Sequence, residues 1–190
     1  MAKTGAHADA GRIRIIGGSL RGSKLDVPGS PGLRPTPDRV RETVFNWLMP
    51  VIDGARCLDL FAGTGALGIE ALSRGAASVD FVECDAKLAA LLRANLTRLK
   101  QTARVLQERA SQFLQAHAGV DYDIAFVDPP FAEDLWETTL ASLETSGVLA
   151  ASAWIYVESA VDREIAAPGN WLTHREGRAG AVKFTLYRRA

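Results

Sequence analysis

The chain has 190 residues, 47% hydrophobic and 23% charged, which suits one soluble domain that buries a core without disulfide staples and excludes a membrane-spanning segment. Its formal net charge of zero hides a segregation: residues 1–45 carry eight basic and four acidic side chains, residues 171–190 five and one, and residues 46–170 nine and seventeen. The acidic middle excludes a polyanion spread over the whole surface and leaves the basic ends to meet one.

The first twelve residues, MAKTGAHADAGR, contain no apolar h-region, so no secretory leader is expected; residues 1–11 read as a disordered tail and the chain as cytoplasmic. Arg12–Leu25 is a short apolar run broken by glycines, a strand or hairpin carrying Arg12, Arg14, Arg21 and Lys24. Val27–Pro35 is Pro/Gly loop punctuation. Thr36 reads as a helix N-cap, with Pro37 at the first helical position and Asp38 in the first turn. Val40, Val44, Phe45, Trp47 and Leu48 form a helical stripe that stops before Pro50.

From residue 55 strands and helices alternate. Strands are predicted at Arg56–Phe61, Ser78–Glu83, Ala103–Gln107, Asp123–Asp128 and Trp154–Glu158, and helices at 66–74, Ala86–Leu99, Ala110–Ala116 and Leu135–Leu143. Trp171–Glu176 and Ala181–Arg188, flanking Gly177–Gly180, read as a terminal hairpin. This pattern predicts an α/β fold, a doubly wound, mostly parallel seven-stranded sheet closed by an antiparallel hairpin. The expected division is a tail at 1–11, a hairpin-plus-helix extension at 12–49 and the α/β domain at 50–190. Cys57 and Cys84 lie in apolar segments with no CxxC pair and read as buried thiols of a reducing compartment. His7, His117 and His174 lack metal-ligand spacing, so no metal site is expected.

The segment Leu58–Gly68 (LDLFAGTGALG) is a buried strand running through a glycine turn into a helix. Gly63 and Gly65 let the backbone turn sharply and approach a ligand. Glu83, at the end of the next strand, can accept the hydroxyls of a ribose. This pattern also matches the dinucleotide fingerprint, so a nicotinamide-dependent oxidoreductase stays open. Asp59 favours another ligand: an acid beside the loop would repel a pyrophosphate but could hold the cationic methionine moiety of S-adenosylmethionine. It could equally brace the loop by accepting backbone N–H groups.

Asp128-Pro129-Pro130-Phe131 ends the fourth strand, at the carboxyl end where open α/β proteins place their active sites. An exocyclic amine is a poor nucleophile because its lone pair is delocalised. Asp128 and the Pro129 carbonyl, accepting its N–H bonds, would favour the reactive geometry, and the Asp128 charge would offset the developing cation. Phe131 offers a face for the base. Alone, Asp-Pro-Pro is an ordinary turn; with the glycine loop and Glu83 on preceding strands it points to amine methylation.

The combination resembles class I S-adenosylmethionine-dependent methyltransferases, and more closely the bacterial ribosomal small subunit methyltransferase D family, which makes N2-methylguanine in 16S ribosomal RNA. The resemblance is carried by RIIGGSLRGSKL (Arg14–Leu25), LRPTPDRVRETVFNWL (Leu33–Leu48), LDLFAGTGALGIEAL (Leu58–Leu72), FVECD (Phe81–Asp85), VDPPF (Val127–Phe131) and IYVE (Ile155–Glu158). It implies S-adenosylmethionine as cofactor, held by Asp59, Phe61, Gly63, Thr64, Gly65, Glu83, Cys84, Ala110 and Asp128, with Asp128–Phe131 performing the transfer. The implied partner is 16S ribosomal RNA in an assembled or assembling small subunit, met by a monomer with no membrane. The family's usual Asp-Ala after the third strand reads Arg109-Ala110 here: the Ala110 N–H could still bond the adenine ring, and Glu108, one residue earlier, is the remaining candidate for a side-chain contact to the adenine amine. Arg14, Arg21, Lys24, Arg34, Arg39, Arg41 and Arg178 are the expected RNA contacts, against the plainer reading of a solvated basic face. Trp47 and Trp171 read as packing residues. Other readings are a non-catalytic RNA-binding protein on the same scaffold and, chemically closer, a DNA adenine-N6 or protein glutamine methyltransferase.

Overall fold

The structure, a computed structural model, describes residues 11–27 and 37–190. Along the chain run β1 (Arg12–Arg14), β2 (Lys24–Asp26), α1 (Asp38–Leu48), β3 (Arg56–Asp59), α2 (Ala66–Ser73), β4 (Ser78–Val82), α3 (Ala86–Arg98) and β5 (Arg104–Leu106). They are followed by α4 (Ala110–Ala116), β6 (Tyr122–Val127), a 3-10 turn (Phe131–Glu133), α5 (Trp136–Thr145), β7 (Leu149–Ala160), β8 (Trp171–Ala179) and β9 (Val182–Arg189). No described helix is long and apolar enough to cross a membrane.

Seven strands form one sheet in the order β5-β4-β3-β6-β7-β9-β8. The first five in that order are parallel, and β9 runs antiparallel to both β7 and β8. The predicted doubly wound sheet with its antiparallel hairpin is therefore present. The pleat splits each strand between two layers. Cys57, Ile124, Phe126, Tyr156, Phe184 and Leu186 pack with α1, α2 and α3 on one face. Leu58, Ala125, Val127, Ile155, Val157 and Tyr187 pack with α4 and α5 on the other. The strand order reverses between β3 and β6, which opens a crevice at the carboxyl ends of those strands.

The N-terminal hairpin, β1 with β2, docks on the layer of α2 and α3, with Ile13, Ile15, Leu25 and Val27 in the same core. Its anchor is Glu70, fully buried on α2. The carboxylate accepts the N–H groups of Ile16 and Gly17, each at 2.8 Å, and the Arg74 guanidinium at 2.7 Å. Ser73 adds a second latch, taking the Ser19 N–H on its carbonyl at 2.7 Å and the Leu20 N–H on its hydroxyl at 2.9 Å. Gly18 sits at φ +74°, where a Cβ would fall 1.7 Å from the Ser73 carbonyl oxygen, so a side chain there would break the latch. Asn95 on α3 holds the Asp26 backbone through both its N–H and its carbonyl.

Several boundaries depart from the sequence reading. Pro37 occupies the N-cap place of α1 rather than its first turn, and Thr36 lies outside the described residues, as does most of the predicted loop. β7 is more than twice the predicted length, because exposed Ala151 and Ser152 hide its first half. Gly177 lies within β8 rather than in the turn: a Cβ there would come within 2.3 Å of the Phe184 ring, so glycine makes room for the aromatic. Cys57 is buried, but Cys84 is exposed, since it follows the last paired residue of β4. Trp47 stacks on Phe184 at 5.5 Å and Trp171 is 5% exposed, both as packing residues.

The Glu70 anchor generates the first prediction. Glu70→Ala strips two half-buried N–H groups and Arg74 of their partner and should cost about 2–4 kcal/mol in urea unfolding. Amides of residues 16–20 should lose hydrogen-exchange protection before those of β3 and β6.

Candidate active site

A cavity of about 680 Å³ opens at the carboxyl ends of β3, β4, β6 and β7, within the range of roughly 300–1,000 Å³ usual for small-molecule sites. Its lining includes Asp59, Phe61, Gly63, Thr64, Glu83, Cys84, Ala110 and the whole Asp128–Phe131 segment. The topology thus brings together all but one of the expected cofactor and transfer residues, although they come from four separate elements. The exception, Gly65, packs close to Leu92 and Ile69 instead.

The glycine turn is built by its neighbours. Gly63 and Gly65 sit at φ +53° and +79°, in the left-handed region that disfavours side chains. A Cβ on Gly63 would meet nothing within 4 Å, so its backbone faces open space at the cavity wall. A Cβ on Gly65 would come 2.3 Å from Leu92 of α3. Gly68 seats α2 on β4, since a Cβ there would lie 2.2 Å from the Phe81 ring.

Two carboxylates fix this turn. Asp59, 2% exposed, accepts the Gly68 N–H at 3.0 Å, so the bracing role considered for it is present. It thereby places an acid at the N-terminus of α2, where a pyrophosphate would need to bind. Glu83, 8% exposed, accepts the Gly63 N–H on one oxygen and the Asp85 N–H on the other, both at 2.7 Å. Each carboxylate oxygen has a further lone pair, so Glu83 can still accept from a hydroxyl. Asp85 caps α3 through the Lys87 and Leu88 N–H groups. At α4, Gln112 accepts the Arg109 N–H at 3.2 Å, which leaves Arg109 exposed at the cavity wall beside half-buried Glu108.

The acid of the DPPF segment does not stand alone. Asp128 shares the cavity with Glu158, 4% exposed, which the sequence reading placed only inside the IYVE match. The Tyr156 hydroxyl donates to Glu158 at 2.8 Å, and Trp136 donates its indole N–H to the Glu158 carbonyl at 2.8 Å. Burial, then the charges of Glu158 and Asp59, push the Asp128 carboxyl well above its ordinary value. Burial, opposed by the Gly68 N–H and assisted by the Glu83 charge, raises Asp59 to about 7. Phe131 is 43% exposed at the cavity mouth, its ring 5.5 Å from Trp136.

The basic residues divide. Arg21, Lys24 and Arg39 are exposed and make no ion pair among the described residues. Arg14 lies directly opposite Lys24 in the hairpin register and 3.5 Å from Asp38. Arg178 is exposed, 3.9 Å from Glu176. Arg34 lies outside the described residues. Arg41 corrects the expectation of a phosphate contact: it is fully buried, donating to Asp38 at 2.6 Å and to the Arg14 carbonyl at 2.8 Å. Its guanidinium bridges Asp38 and the hairpin backbone from a buried position, where no phosphate reaches it.

Asp59 gives a test with a definite sign. Its folded-state value of about 7 exceeds the ordinary 3.8, so the stability linked to its proton is present below pH 3.8 and is lost as pH rises to 7. Asp59→Asn keeps an acceptor for Gly68 and removes the charge. The ligand-free variant should be more stable than wild type at pH 8, on the order of 2 kcal/mol, with a shallower decline in thermal midpoint between pH 4 and 7.

The family model described as "Conserved hypothetical protein 95" matches residues 13–188. The ribosomal RNA small subunit methyltransferase D of Escherichia coli (strain K12) is 55% identical over 96% of this chain and 93% of that protein. The protein of the same name from Haemophilus influenzae is 45% identical over 93% of this chain and 94% of its own length. A solved Escherichia coli methyltransferase structure, yhhF, superposes with a TM-score of 0.87 at 52% identity, covering 94% of this chain and 98% of that one. With these identities along almost its whole length, and with the glycine turn and DPPF segment on one cavity, the chain belongs to the ribosomal RNA small subunit methyltransferase D family, on the class I S-adenosylmethionine-dependent methyltransferase fold.

Proposed function

We propose that the chain transfers a methyl group from S-adenosylmethionine to the N2 amine of a guanine in 16S ribosomal RNA, acting as a monomer on an assembled or assembling small subunit. The observation that carries the reading is the convergence of the Asp59–Glu83 glycine turn and the Asp128–Phe131 segment on one cavity. The residues suit this cofactor: Gly63 leaves space for close approach, Glu83 retains acceptor capacity for ribose, and Asp59 offers negative charge to a cation. The same acid disfavours a dinucleotide, because it takes up the helix N-terminus that a pyrophosphate requires.

When bound, S-adenosylmethionine supplies an electrophilic methyl group on a cationic sulfur. Asp128 and the Pro129 carbonyl accept the two N–H bonds of the target amine and turn its lone pair toward that methyl. The Asp128 charge balances the cation that forms on nitrogen as the nitrogen–carbon bond replaces the carbon–sulfur bond, and the proton then passes from nitrogen to solvent water. Phe131, exposed at the mouth, stacks on the guanine. Arg14, Arg21, Lys24, Arg39 and Arg178, with Arg34, supply the phosphate contacts that position the RNA.

The deciding experiment is transfer of labelled methyl to ribosomal RNA and to small subunits, followed by nucleoside analysis; label in a nucleoside other than N2-methylguanosine would overturn the guanine assignment. Asp128→Ala, at saturating cofactor, should lower the single-turnover rate about 10²–10³-fold. Asp128→Asn should resemble the Ala variant if charge dominates and retain much of the rate if acceptor geometry does. Glu83→Ala should weaken cofactor binding by roughly 1.5–3 kcal/mol in calorimetry. Replacing Arg21, Lys24 and Arg39 together by Ala should lower the salt slope of RNA binding by roughly 0.7–0.9 for each phosphate that is no longer neutralised, with cofactor affinity unchanged.

A further inference from the structure

Phe131 serves two cavities. It lines the mouth of the transfer site, and it is the one residue among those described that also lines a second recess, of about 300 Å³. That volume is at the lower end of the roughly 300–1,000 Å³ usual for small-ligand sites. The recess lies between the 3-10 turn and the turn that follows β7. Its walls are fixed. Trp136, nearly buried, donates its indole N–H to the Glu158 carbonyl and has its ring 5.5 Å from that of Phe131. The Arg163 guanidinium lies 5.8 Å from the Trp136 ring and is held by Asp134 at 2.6 Å and Glu137 at 2.8 Å. The Ala160 carbonyl accepts the Arg163 N–H at 3.1 Å, closing a tight turn that carries Asp162.

The chemistry of these walls selects an occupant. Phe131 offers an exposed aromatic surface and Arg163 a planar guanidinium. Asp162 is exposed, and its carboxylate makes no hydrogen bond or ion pair among the described residues. Asp134 keeps acceptor capacity beyond its bond to Arg163. Arg163, the one cation among the described residues lining the recess, is already bound to two acids. The recess is therefore acidic and repels a phosphate. A flat ring whose edge carries N–H groups suits both the planar surfaces and the open acceptors. Unstacked bases of single-stranded RNA are held in this way, stacked on aromatic rings or guanidinium planes and hydrogen-bonded along their edges. Adenine, cytosine and guanine each present an exocyclic amine. Uracil instead flanks a single N–H with two carbonyls, which a carboxylate repels.

We propose that this recess is a second base subsite, which takes an amine-bearing nucleotide next to the methylated guanine, with Asp162 as the residue that reads it. The proposal rests on the guanine reading above. A guanine seated in the transfer site leaves its strand to continue past the mouth, and the recess adjoins that mouth with Phe131 common to both. Stacked neighbours lie about 3.4 Å apart along a strand, and an aromatic wedge between two bases opens the step to about 7 Å. Phe131 is placed to be such a wedge, with the target on one side and its neighbour on the other. The neighbour thereby sets which guanine of a strand is presented to Asp128. Asp162 touches no reacting atom; it acts on the choice of substrate.

The test is steady-state methyl transfer by the full chain to small subunits reconstituted with unmodified 16S transcripts. Each amine-bearing neighbour of the methylated guanine is replaced in turn by uracil. With wild type, one of these replacements should raise KM for the subunit about tenfold, as for one hydrogen bond to a charged group, and leave kcat nearly unchanged. Asp162→Ala should raise KM by a similar factor, and the same replacement should then add little. A general charge effect has the opposite sign, because removing an acid near a polyanion lowers KM. Cofactor affinity in calorimetry and the thermal midpoint of Asp162→Ala should match wild type, which separates the effect from loss of fold. An Asp162→Ala KM at or below that of wild type, or uracil on both sides of the methylated guanine, overturns the proposal and leaves the guanine reading standing. Independent, additive effects of the two changes also overturn it and give Asp162 to a basic protein side chain instead. Transfer by wild type to no guanine, in reconstituted or native subunits, overturns the guanine reading itself and the proposal with it.

Discussion

The N–H groups of the turn between β3 and α2 must find acceptors, and the rest of the site follows from how they do. Two of its glycines have positive φ, a shape that leaves backbone donors unpaired by any ladder. Asp59 and Glu83, from adjacent strands, take the donors of Gly68 and Gly63. Each carboxylate has to be nearly buried to reach them, so the turn is fixed by groups that are costly to desolvate. The site acquires its negative character from this scaffold requirement before any substrate is considered. A cation then improves the electrostatics of the protein as well as its own.

The basic N-terminal segment is fixed by a similar device on the far end of α2. Glu70 accepts from two consecutive backbone amides and from Arg74, while Ser73 takes the next pair. The helix whose first turn helps build the cavity therefore also holds the hairpin that carries Arg14, Arg21 and Lys24. Arg41, inward-facing and bound to the Arg14 carbonyl, ties α1 to the same hairpin. Charge on the outside of this unit is set by charge pairing on the inside.

Much of this was legible in the sequence because it is local. Apolar strands followed by glycine, the acids closing β3 and β4, and Asp-Pro-Pro after β6 each lie within a few residues of their cause, and the fold brings them to one cavity. Glu158 was not legible in that way, since its meaning depends on the register of β7 against β6, two strands separated by a helix in the chain. Arg41 misled because charge alone does not report burial; the nearby Asp38 was the available signal, at the spacing of a helical ion pair. Gly177 looked like a turn residue because the ring that needs its space, Phe184, belongs to the facing strand. Cys84 looked buried because its neighbours Phe81 and Val82 are, whereas the strand pairing ends just before it.

The Glu70 and Ser73 latch gives the hairpin the status of a docked ligand. Residues 11–27 are joined to α2 and α3 by backbone and side-chain hydrogen bonds and by four buried aliphatic side chains, independently of the covalent link onward to α1. A chain interrupted between Val27 and Pro37 would retain the surfaces needed to hold the two pieces together. The hairpin is thus expected to bind when supplied in trans, as a synthetic peptide carrying unnatural side chains at positions 14, 21 and 24, to a body that begins at α1.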